Sequence, residues 1–304
     1  MQDTNDVTSV NAPIPLPTPL QMFYKKNILY YYKLIIYLIN RMFTYLNSLF
    51  SKSNPEISKK KNQDNQDNNN LPSHVALIPD GNRRWANDKK LPTSVGHSTG
   101  SKRILKSYLL AFNLGIYCVS VWGSSYENLT KRSTLEIKSL FKIYKKGFES
   151  LLNRPELHEK KIRVMIIGRW REVLDESVIE VADKLMDTTK MYDGHSLNFY
   201  IGYNGTHEMI HAIKEIVEES KKDEKMDITE SVLEKYLWSG SLPPVDLIIR
   251  TGVDKDPHNS VGFMMWKTAN SQYYFTKIKC PDFTENEFMK AIKNYQNRER
   301  RLGK

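Results

Sequence analysis

The chain has 304 residues, 40% of them hydrophobic and 26% charged, which is the composition of a globular protein and excludes a collagen-like or fully disordered one. A formal net charge of +10 favours an acidic partner, namely a nucleic acid, an anionic membrane or a phosphorylated substrate. Nucleic acid ranks last, and we expect none as a partner, because the basic residues are dispersed and no zinc spacing or recognised nucleic-acid motif occurs.

The composition divides the chain into four parts. Residues 1–21 are polar and contain prolines, which predicts disorder. Residues 22–50 are apolar and aromatic. Residues 51–72 contain a lysine run followed by Asn, Gln and Asp, and this pattern predicts a polar linker. Residues 73–304 have the mixed composition of one folded domain.

The apolar stretch at residues 22–50 predicts a helix that lies in a membrane interface. On a helix Lys26 and Lys33 share a face and Arg41 lies within a quarter turn of them, which gives a basic stripe on an apolar, aromatic surface. A helix that spans the membrane and a helix packed on the protein stay open as alternatives. A span needs about 20 apolar residues, and Lys33 and Arg41 interrupt this one. No small-residue cleavage site follows, so the stretch does not resemble a secretory signal.

From Ser73 onward, short apolar runs alternate with longer segments of helical periodicity. The candidate strands are Val75–Ile78, Cys118–Trp122, Arg163–Ile167, Leu197–Tyr200, Leu247–Ile249 and Tyr273–Phe275. The candidate helices are Ser98–Leu114, Thr134–Leu152, Glu176–Thr189, His207–Lys221, Ser231–Leu237 and Glu285–Arg300. Apolar strands separated by helices predict an α/β fold, a parallel β-sheet flanked by helices, with the N-terminal apolar helix added. The two cysteines, Cys118 and Cys280, form no disulfide framework or metal pattern, and we expect buried thiols in a reducing compartment.

The stretch His74–Asn87 carries the strongest local signal for a ligand site. Pro79 lacks an amide donor and ends the first strand, and Asp80, Gly81 and Asn82 follow before a helix-forming run begins. A strand that turns directly into a helix directs free N–H groups at one point, and the two arginines that come next add positive charge there. Asp80 can hold a divalent cation against a bound anion. The pattern favours a diphosphate site, with a simple hairpin turn at Asp-Gly-Asn as the alternative.

Polar side chains follow four of the predicted strands. The carboxyl ends of parallel strands meet at one edge of a sheet, where ligands bind in folds of this class. We therefore expect these residues to converge on one site: Asp80 and Asn82 after the first strand, Ser125 and Asn128 after the second, Asn204 after the fourth and Arg250 after the fifth.

Patterns near the second and fifth strands leave structural and functional interpretations open. Ser133 followed three residues later by Glu136 fits a helix capping box, which assigns both residues to local structure. Arg250 at a strand's end fits phosphate clamping, with a surface salt bridge as the alternative. Asn128 and Arg132 have no such local role and are candidates for function.

As a set, these residues resemble the cis-prenyltransferase family, the undecaprenyl and dehydrodolichyl diphosphate synthases. The matching runs are His74–Ala86, Gly96-His97, Ser125–Asn128 with Arg132, Asp246–Gly252, Phe263–Trp266, Tyr274-Phe275, Pro281-Asp282-Phe283 and Asn297–Gly303, within residues 73–304. The resemblance implies a transferase that condenses isopentenyl diphosphate onto an allylic diphosphate, usually farnesyl diphosphate, with Mg²⁺ and with formation of cis double bonds. The polyprenyl diphosphate would serve dolichol-type or undecaprenyl-type lipid carriers.

The resemblance also implies a role for each matching residue. Asp80 would hold Mg²⁺ and assist departure of the diphosphate, and Asn128, with Ser125, would help proton removal at the reaction centre. The allylic substrate would contact Gly81, Asn82, Arg83, Arg84 and His97, with Trp85 near the reacting carbons. The isopentenyl diphosphate would contact Arg132, Arg250 and Ser260, and the substrate-binding set also includes Tyr126 and Glu127. Arg301 and Gly303 match a terminal Arg-x-Gly that in relatives reaches this site across a homodimer.

Two departures from the family's pattern lie near the first two motifs. Thr93 stands where an arginine is common, shortly before the Gly-His pair. The loop from Asn128 to Arg132 is one residue longer than usual, so Lys131 could take the place of the arginine.

Two further departures lie in the C-terminal half. The loop at residues 254–262 is longer than usual, and His258 or Asn259 stands for an expected arginine. Gln272 stands where many bacterial members have a metal-binding glutamate. It is the weaker metal candidate, because an amide oxygen can bind Mg²⁺ but carries no charge.

The size of the implied product predicts both a tunnel for the tail and a membrane beside the enzyme. Each added unit brings five carbons, hence roughly 3–4 kcal/mol of apolar burial at about 0.8 kcal/mol per carbon. A tunnel for the tail should come from the apolar faces of Ser98–Leu114 and Thr134–Leu152, with ordinary core packing as the alternative. The resemblance therefore implies a membrane-associated enzyme at the cytoplasmic face, on the endoplasmic reticulum in a eukaryote.

Two rival functions are considered. The first is a non-catalytic partner subunit of a heteromeric cis-prenyltransferase, known among eukaryotic relatives. Such subunits typically lack the Asp-Gly-Asn set, so Asp80 favours an enzyme complete in one chain. The second is a nucleic-acid-binding module, which only the net charge suggests.

Overall fold

The structure, a computed structural model, describes residues 70–222 and 225–298. The predictions for residues 1–21, for residues 22–50 and for most of 51–72 lie outside the described residues, as do those for Arg301 and Gly303.

Six strands form one sheet. They are β1 (His74–Ile78), β2 (Cys118–Ser125), β3 (Ile162–Ile167), β4 (His195–Tyr203), β5 (Leu247–Arg250) and β6 (Gln272–Phe275). The order is β3-β4-β2-β1-β5-β6, and every neighbouring pair is parallel. The predicted α/β fold with a parallel sheet is confirmed. All five residues of β1 are buried, as expected of a central strand covered on both faces.

Helices connect the strands and cover both faces of the sheet. The N-terminal half contains α1 (Asn82–Asp88), α2 (Thr93–Asn113), α3 (Tyr126–Lys131), α4 (Thr134–Leu152) and α5 (Pro155–Glu159). The C-terminal half contains α6 (Trp170–Val173), α7 (Glu176–Thr189), α8 (Gly205–Ser220), α9 (Glu230–Tyr236) and α10 (Glu285–Gln296), with a 3₁₀ turn at Cys280–Asp282 before α10. Of the helices in the described ranges, none has the length and apolar character that crossing a bilayer requires.

The predicted boundaries agree best where a side chain caps the helix. Helices α4 and α7 begin and end at the predicted residues, following the N-caps Ser133 and Asp175. Helix α2 starts at Thr93, earlier than predicted, because its first turn contains small and polar residues that give no apolar period. The short helices α3, α5 and α6 have too few residues to show a helical period, and the sequence analysis did not predict them.

The sheet separates two hydrophobic clusters. The larger lies under α2, α4, α7 and α10 and includes Leu77, Phe112 and Phe148. The smaller, on the opposite face, is built from aromatic side chains such as Trp122 and Phe263, whose ring centroids lie 5.2 Å apart in an edge-to-face arrangement. Both cysteines are buried free thiols, as predicted.

A polar network is buried at the start of β1. The His74 ring contacts the Pro243 carbonyl through Nδ1 at 2.9 Å and Ser120 Oγ through Nε2 at 2.8 Å, and Asn198 donates to the same hydroxyl at 3.3 Å. Burial lowers the pKa of His74 to about 4, although the hydrogen bond to Pro243 opposes the shift. The imidazole is therefore neutral at pH 7, and its partners satisfy both ring nitrogens.

Candidate active site

Strand β1 turns directly into α1, as predicted, and the hairpin alternative is wrong. The strand ends at Ile78, and the helix begins at Asn82 after Gly81, whose φ of 96° lies in the left-handed region. A Cβ at Gly81 would lie 2.9 Å from Lys279 Cβ, so both the backbone angle and the available space require glycine. This turn fixes the position of Asp80 at the carboxyl edge of the sheet.

Two arginines from different elements hold the Asp80 carboxylate. Oδ2 accepts from Arg250 Nη2 at 3.0 Å, and Oδ1 lies 3.2 Å from Arg84 Nη2. Oδ1 also accepts from the Gly81 amide at 2.5 Å. Burial disfavours ionisation of Asp80, but the hydrogen bonds from Arg250 and Gly81 and the charge of Arg84 outweigh it and keep its pKa below the usual value. The carboxylate is thus ionised at neutral pH, and 38% of its side chain is exposed.

Arg250 joins the end of β5 to the loop that follows. Its Nη1 donates to the His258 carbonyl at 2.6 Å, and its side chain is only 10% exposed, so the surface salt-bridge alternative is wrong. Its Nε–H is buried and has no hydrogen-bond partner in the part of the chain that the structure describes. Arg84 in turn donates to the Gly252 carbonyl at 2.7 Å. These bonds tie the ends of β1 and β5 together around one charged cluster.

A second polar cluster comes from the segment between the end of β2 and the first turn of α4, together with His97 on α2. Ser125 caps α3 by accepting from the Asn128 amide at 3.0 Å, which fixes Asn128 at the start of that helix. Arg132 donates to Asn128 Oδ1 and to Glu136 Oε1, each at 3.0 Å. His97 Nε2 lies 3.3 Å from the same Glu136 oxygen. One carboxylate oxygen therefore joins an imidazole and a guanidinium.

Glu136 is the site residue that the sequence analysis missed. Ser133 does cap α4 and accepts from the Glu136 amide at 3.4 Å, but the carboxylate bonds to His97 and Arg132, so only half of the capping box exists. Burial lowers the pKa of His97, which Glu136 opposes and Arg132 reinforces, so the ring is neutral at pH 7. No sequence signal separated this role from a capping box, because Arg132 is an extended residue between α3 and α4 and the helical period does not continue from Asn128 to Glu136.

A polar cavity of about 560 Å³ joins the two clusters. It lies at the carboxyl ends of β1, β2 and β5, where the fold class places ligands. Its wall includes Asp80, Gly81, Asn82, Arg83, Arg84, Thr93, His97, Asn128, Arg132, Glu136, Arg250 and Ser260. The residues predicted to grip two diphosphates thus surround one space, with Asp80 and four arginines among them.

An apolar cavity of about 360 Å³ lies beside the polar one, between α2 and α4. These are the helices whose apolar faces were expected to supply a tunnel. A cavity of about 150 Å³ holds a benzene ring, so this one has room for on the order of 14 carbons. The two cavities share a wall made of Pro79, Asn82, His97, Trp122 and Gly123.

Asn82 owes its place at the shared wall to two glycines of α2. A Cβ at Gly100 would lie 2.1 Å from Asn82 Oδ1, and a Cβ at Gly96 would lie 2.2 Å from the Asn82 carbonyl oxygen. Asn82 Nδ2 donates to the Pro79 carbonyl at 3.0 Å. Because α2 has no side chains at these points, it packs directly on α1 and holds Asn82 between the cavities.

Several predicted substrate-binding residues face away from both cavities. Trp85 donates from Nε1 to Asp282 at 2.8 Å and lies under Lys89, so this position does not support a role near reacting carbons. The Tyr126 ring packs against the Arg169 guanidinium at 4.0 Å.

Glu127 and Asn204 contact each other and do not line the polar cavity. Asn204 Nδ2 donates to Glu127 Oε1 at 3.1 Å, and Asn204 also caps α8 by accepting from the Thr206 amide at 2.9 Å. The ends of β1, β2 and β5 meet at the polar cavity, but the expected convergence is wrong for Asn204. It sits beside the site and helps to hold α3.

Gln272 cannot share a metal ion with Asp80 of the same chain. It starts β6 opposite Leu247, whereas Arg250 pairs with Phe275, so Gln272 lies three residues, about 10 Å, from the carboxyl edge of the sheet. Its Oε1 accepts from Arg298 at 3.3 Å. Within one chain Gln272 thus lies apart from the Asp80 site, and its assignment as the weaker metal candidate stays a prediction.

The longer loops contribute in different ways. Lys131 is exposed and does not line the polar cavity, whereas Arg132 does. Lys131 therefore does not take the place of the arginine, as the extra residue in this loop had suggested. In the loop at 254–262, His258 supplies a main-chain oxygen to Arg250, and Asn259 donates to the Phe263 carbonyl at 3.0 Å.

The fold and the two cavities define a parallel α/β protein for ligands with an anionic head and an apolar tail. The undecaprenyl diphosphate synthase family model matches residues 78–303. A tritrans,polycis-undecaprenyl-diphosphate synthase (geranylgeranyl-diphosphate specific) from Pyrococcus abyssi is 37% identical over 77% of this chain and 88% of its own length. An isoprenyl transferase from Listeria innocua is 39% identical over 77% of this chain and 90% of its own length.

A solved structure gives the same result. Lavandulyl diphosphate synthase from Lavandula x intermedia, in complex with dimethylallyl diphosphate, superposes with a TM-score of 0.69 and 26% identity, over 77% of this chain and 99% of that one. The chain belongs to the undecaprenyl diphosphate synthase family of cis-prenyltransferases. It is a prenyltransferase that elongates a cis-prenyl chain.

Proposed function

We propose that this enzyme condenses isopentenyl diphosphate sequentially onto farnesyl diphosphate to make a polyprenyl diphosphate for dolichol-type or undecaprenyl-type lipid carriers. The observation that carries the proposal is the shared wall between a polar cavity containing Asp80 and Arg250 and an apolar cavity between α2 and α4. A prenyl diphosphate has the same two parts in the same order. The room for on the order of 14 carbons suits the 15-carbon farnesyl tail.

The Asp80 cluster suits the departing diphosphate. The allylic C–O bond breaks with the electron pair on the diphosphate, and preplaced positive groups stabilise that charge as it develops. Arg84 and Arg250 stand on either side of the Asp80 carboxylate, and the buried Arg250 Nε–H is a donor without a partner in the described chain. That orphan donor fits a diphosphate oxygen.

Mg²⁺ fits this site as an ion shared between protein and substrate. The described ranges contain no group of three His, Cys, Asp or Glu side chains that could hold a metal alone. Mg²⁺ commonly binds through one or two carboxylates together with substrate phosphates, and the ionised Asp80 facing the polar cavity meets that need. When bound there, the ion would neutralise charge on the departing diphosphate.

The second cluster suits the isopentenyl diphosphate. Arg132 would bind its diphosphate, and Glu136 holds that guanidinium in place. The double bond of the isopentenyl unit attacks the allylic carbon as the diphosphate departs, and transfer of one proton from the condensed unit to that diphosphate forms the new cis double bond. Asn128, oriented by Arg132 and Ser125, is the residue that we assign to guide that proton loss.

The test is chain extension by the purified full-length protein. Farnesyl and geranylgeranyl diphosphate are supplied separately with labelled isopentenyl diphosphate and Mg²⁺, and product length is read by chromatography. We expect extension of farnesyl diphosphate. A preference for geranylgeranyl diphosphate would refute farnesyl diphosphate as the primer and favour the substrate in the name of the Pyrococcus abyssi relative. No extension unless a second subunit is added would favour the alternative function, a non-catalytic partner subunit. The glutamine at position 272 is the main argument for that alternative.

We further propose that the enzyme is a homodimer associated with the cytoplasmic face of a membrane through residues 22–50. The support is the basic, aromatic pattern of that stretch and the length of the product. Deletion of residues 1–70 should leave condensation to short products largely intact while weakening membrane binding and release of long products. Equal activity and equal membrane fractionation of the truncated protein would refute this.

A further inference from the structure

The apolar cavity reaches the protein surface between α2 and α4. Residues such as Ile104 and Leu140 line it and are buried, whereas Lys102 on α2 and Lys146 and Gly147 on α4 line it and are exposed. The cavity therefore has a buried apolar floor and a solvent-exposed mouth. A Cβ at Gly147 would meet no atom within 4 Å, which shows that the mouth is open at this point.

The mouth has a basic rim. Lys102 on α2 and Lys146 on α4 line the mouth, and Lys138 and Lys142 continue the row of Lys146 at four-residue spacing along one face of α4. All four side chains are exposed, and within the described ranges none forms a salt bridge. We call these four lysines the α2–α4 rim.

The two helices that carry the rim concentrate the charge of the chain. Helix α2 contains three basic residues and no acidic one, a formal charge of +3. Helix α4 contains four lysines and two glutamates, a formal charge of +2, and one of those glutamates, Glu136, binds groups of the active site. The two helices thus hold half of the formal net charge of +10.

We propose that the α2–α4 rim docks the enzyme on an anionic phospholipid surface, with the mouth of the apolar cavity facing the bilayer. Lysines around an apolar opening match anionic headgroups above acyl chains. A nucleic acid would match the lysines and leave the apolar floor without a partner.

The size of the cavity gives this orientation a purpose, and here the inference rests on the proposed function. The cavity has room for on the order of 14 carbons, so a product longer than about three isoprene units extends beyond it. Exposing that tail to water is unfavourable, by roughly 3–4 kcal/mol for each five-carbon unit. An exit that faces acyl chains removes the penalty.

The first experiment measures binding of the full-length chain to vesicles without substrates. One variant replaces Lys102, Lys138, Lys142 and Lys146 with glutamine. The matched control makes the same charge change at Lys214, Lys221, Lys222 and Lys235, around α8 and α9. Vesicles of phosphatidylcholine alone are compared with vesicles of equal parts phosphatidylcholine and phosphatidylglycerol, and far-UV circular dichroism checks that each variant is folded.

We expect the rim variant to lose at least about tenfold in binding to the anionic vesicles, because each lysine at such a surface contributes roughly fivefold. The control variant should stay within about twofold of the parent, because the proposal gives its four lysines no contact with the bilayer. Residues 1–69 and the net charge are the same in both variants, so neither can cause a difference between them. Equal losses in the two variants would mean that only net charge matters and would overturn the proposal. So would a rim variant that binds as well as the parent.

The second experiment reports orientation. Cys118 and Cys280 are buried, so a polarity-sensitive fluorophore can be attached selectively to Gly147→Cys or, as control, to Lys214→Cys. We expect anionic vesicles to shift the emission of the probe at position 147 to the blue and to leave the probe at position 214 unchanged. A shift at 214 alone, or at neither position, would refute the orientation.

These measurements separate the inference from the proposed function. Vesicle binding needs no turnover, and prenyl extension can be measured in detergent without vesicles. Extension without rim-dependent binding would refute the docking surface alone. Rim-dependent binding without extension would refute the proposed reaction and leave a lipid-docking surface.

Discussion

Replacing Glu136 with alanine tests how the two substrate sites are connected. Its Oε1 accepts from Arg132 at 3.0 Å and lies 3.3 Å from His97 Nε2, so one deletion releases a side chain from each proposed diphosphate site. Arg132 also donates to Asn128 at 3.0 Å and would keep that bond. We therefore expect a misplaced guanidinium rather than an unfolded protein.

The size of the effect follows from the burial of the pair. The Arg132 and Glu136 side chains are 19% and 15% exposed, so solvent screens their interaction less than it screens a surface pair. A hydrogen bond to a charged group contributes about 1.5–3 kcal/mol, and about 1.4 kcal/mol corresponds to a tenfold change. We expect Glu136→Ala to lower kcat/KM for isopentenyl diphosphate by roughly 10- to 100-fold. Glu136→Gln keeps an acceptor oxygen without the charge and should lose less.

Steady-state kinetics with each substrate varied in turn provides the assay. The larger change should fall on KM for isopentenyl diphosphate, because Arg132 has the shorter contact with Glu136. Glu149→Ala, an exposed position on the same helix, is the matched control and should leave both substrates' constants unchanged. A Glu136→Ala enzyme within about threefold of the parent, or an equal loss in the control, would refute the reasoning.

Four further outcomes are expected. Asp80→Asn should lower kcat by about 10²–10³-fold in the extension assay, because the site loses the charge proposed to hold Mg²⁺ and stabilise the departing diphosphate. Gly100→Ala places a Cβ 2.1 Å from Asn82 Oδ1 and should lower the free energy of unfolding, measured in urea, by about 1–3 kcal/mol. Gly147→Ala, whose Cβ meets nothing within 4 Å, should raise it by about 1 kcal/mol. Because the pKa of His74 is about 4 when folded and 6.5 when unfolded, the unfolded state takes up the proton first, so the free energy of unfolding should fall by about 3 kcal/mol as the pH drops from 7 to 4.

Each of these outcomes can fail independently. If the Asp80→Asn enzyme retains a tenth or more of its activity, the proposed role of the carboxylate in the reaction is refuted. Equal stability of the two glycine variants would contradict the close contact at Gly100. His74→Gln should flatten the dependence of stability on pH between 7 and 4, and an unchanged slope would place the titrating group elsewhere.

The fold was predictable because its signals are local. Continuous apolar runs such as Leu247–Ile249 can be buried on both faces only in a parallel sheet covered by helices. The carboxyl ends of such strands lie at one edge, so Asp80 and Arg250, 170 positions apart, could be placed together before any coordinates were known. Family motifs then supplied roles that charge and spacing alone left open.

The errors concern side chains whose direction depends on packing. Trp85 and Arg84 are neighbours on α1, yet Arg84 turns to the Asp80 cluster and Trp85 to Asp282. Glu136 fits a capping box in sequence, and only the packing of α2 against α4 brings His97 within reach of its carboxylate. A residue's neighbours across the fold decide such cases, and a single sequence does not list them.

The polar cavity is lined mainly where strands end and helices begin, whereas the apolar cavity is lined mainly by the faces of α2 and α4. The two halves of a ligand would thus contact different parts of the fold, which meet at the shared wall around Asn82, Trp122 and Gly123. Substitutions at positions of α2 and α4 that line only the apolar cavity, such as Ile104 and Leu140, can change which hydrocarbon fits while leaving the charged groups of the polar cavity in place. Such an architecture lets selection vary the length of a tail while the chemistry at its head stays the same.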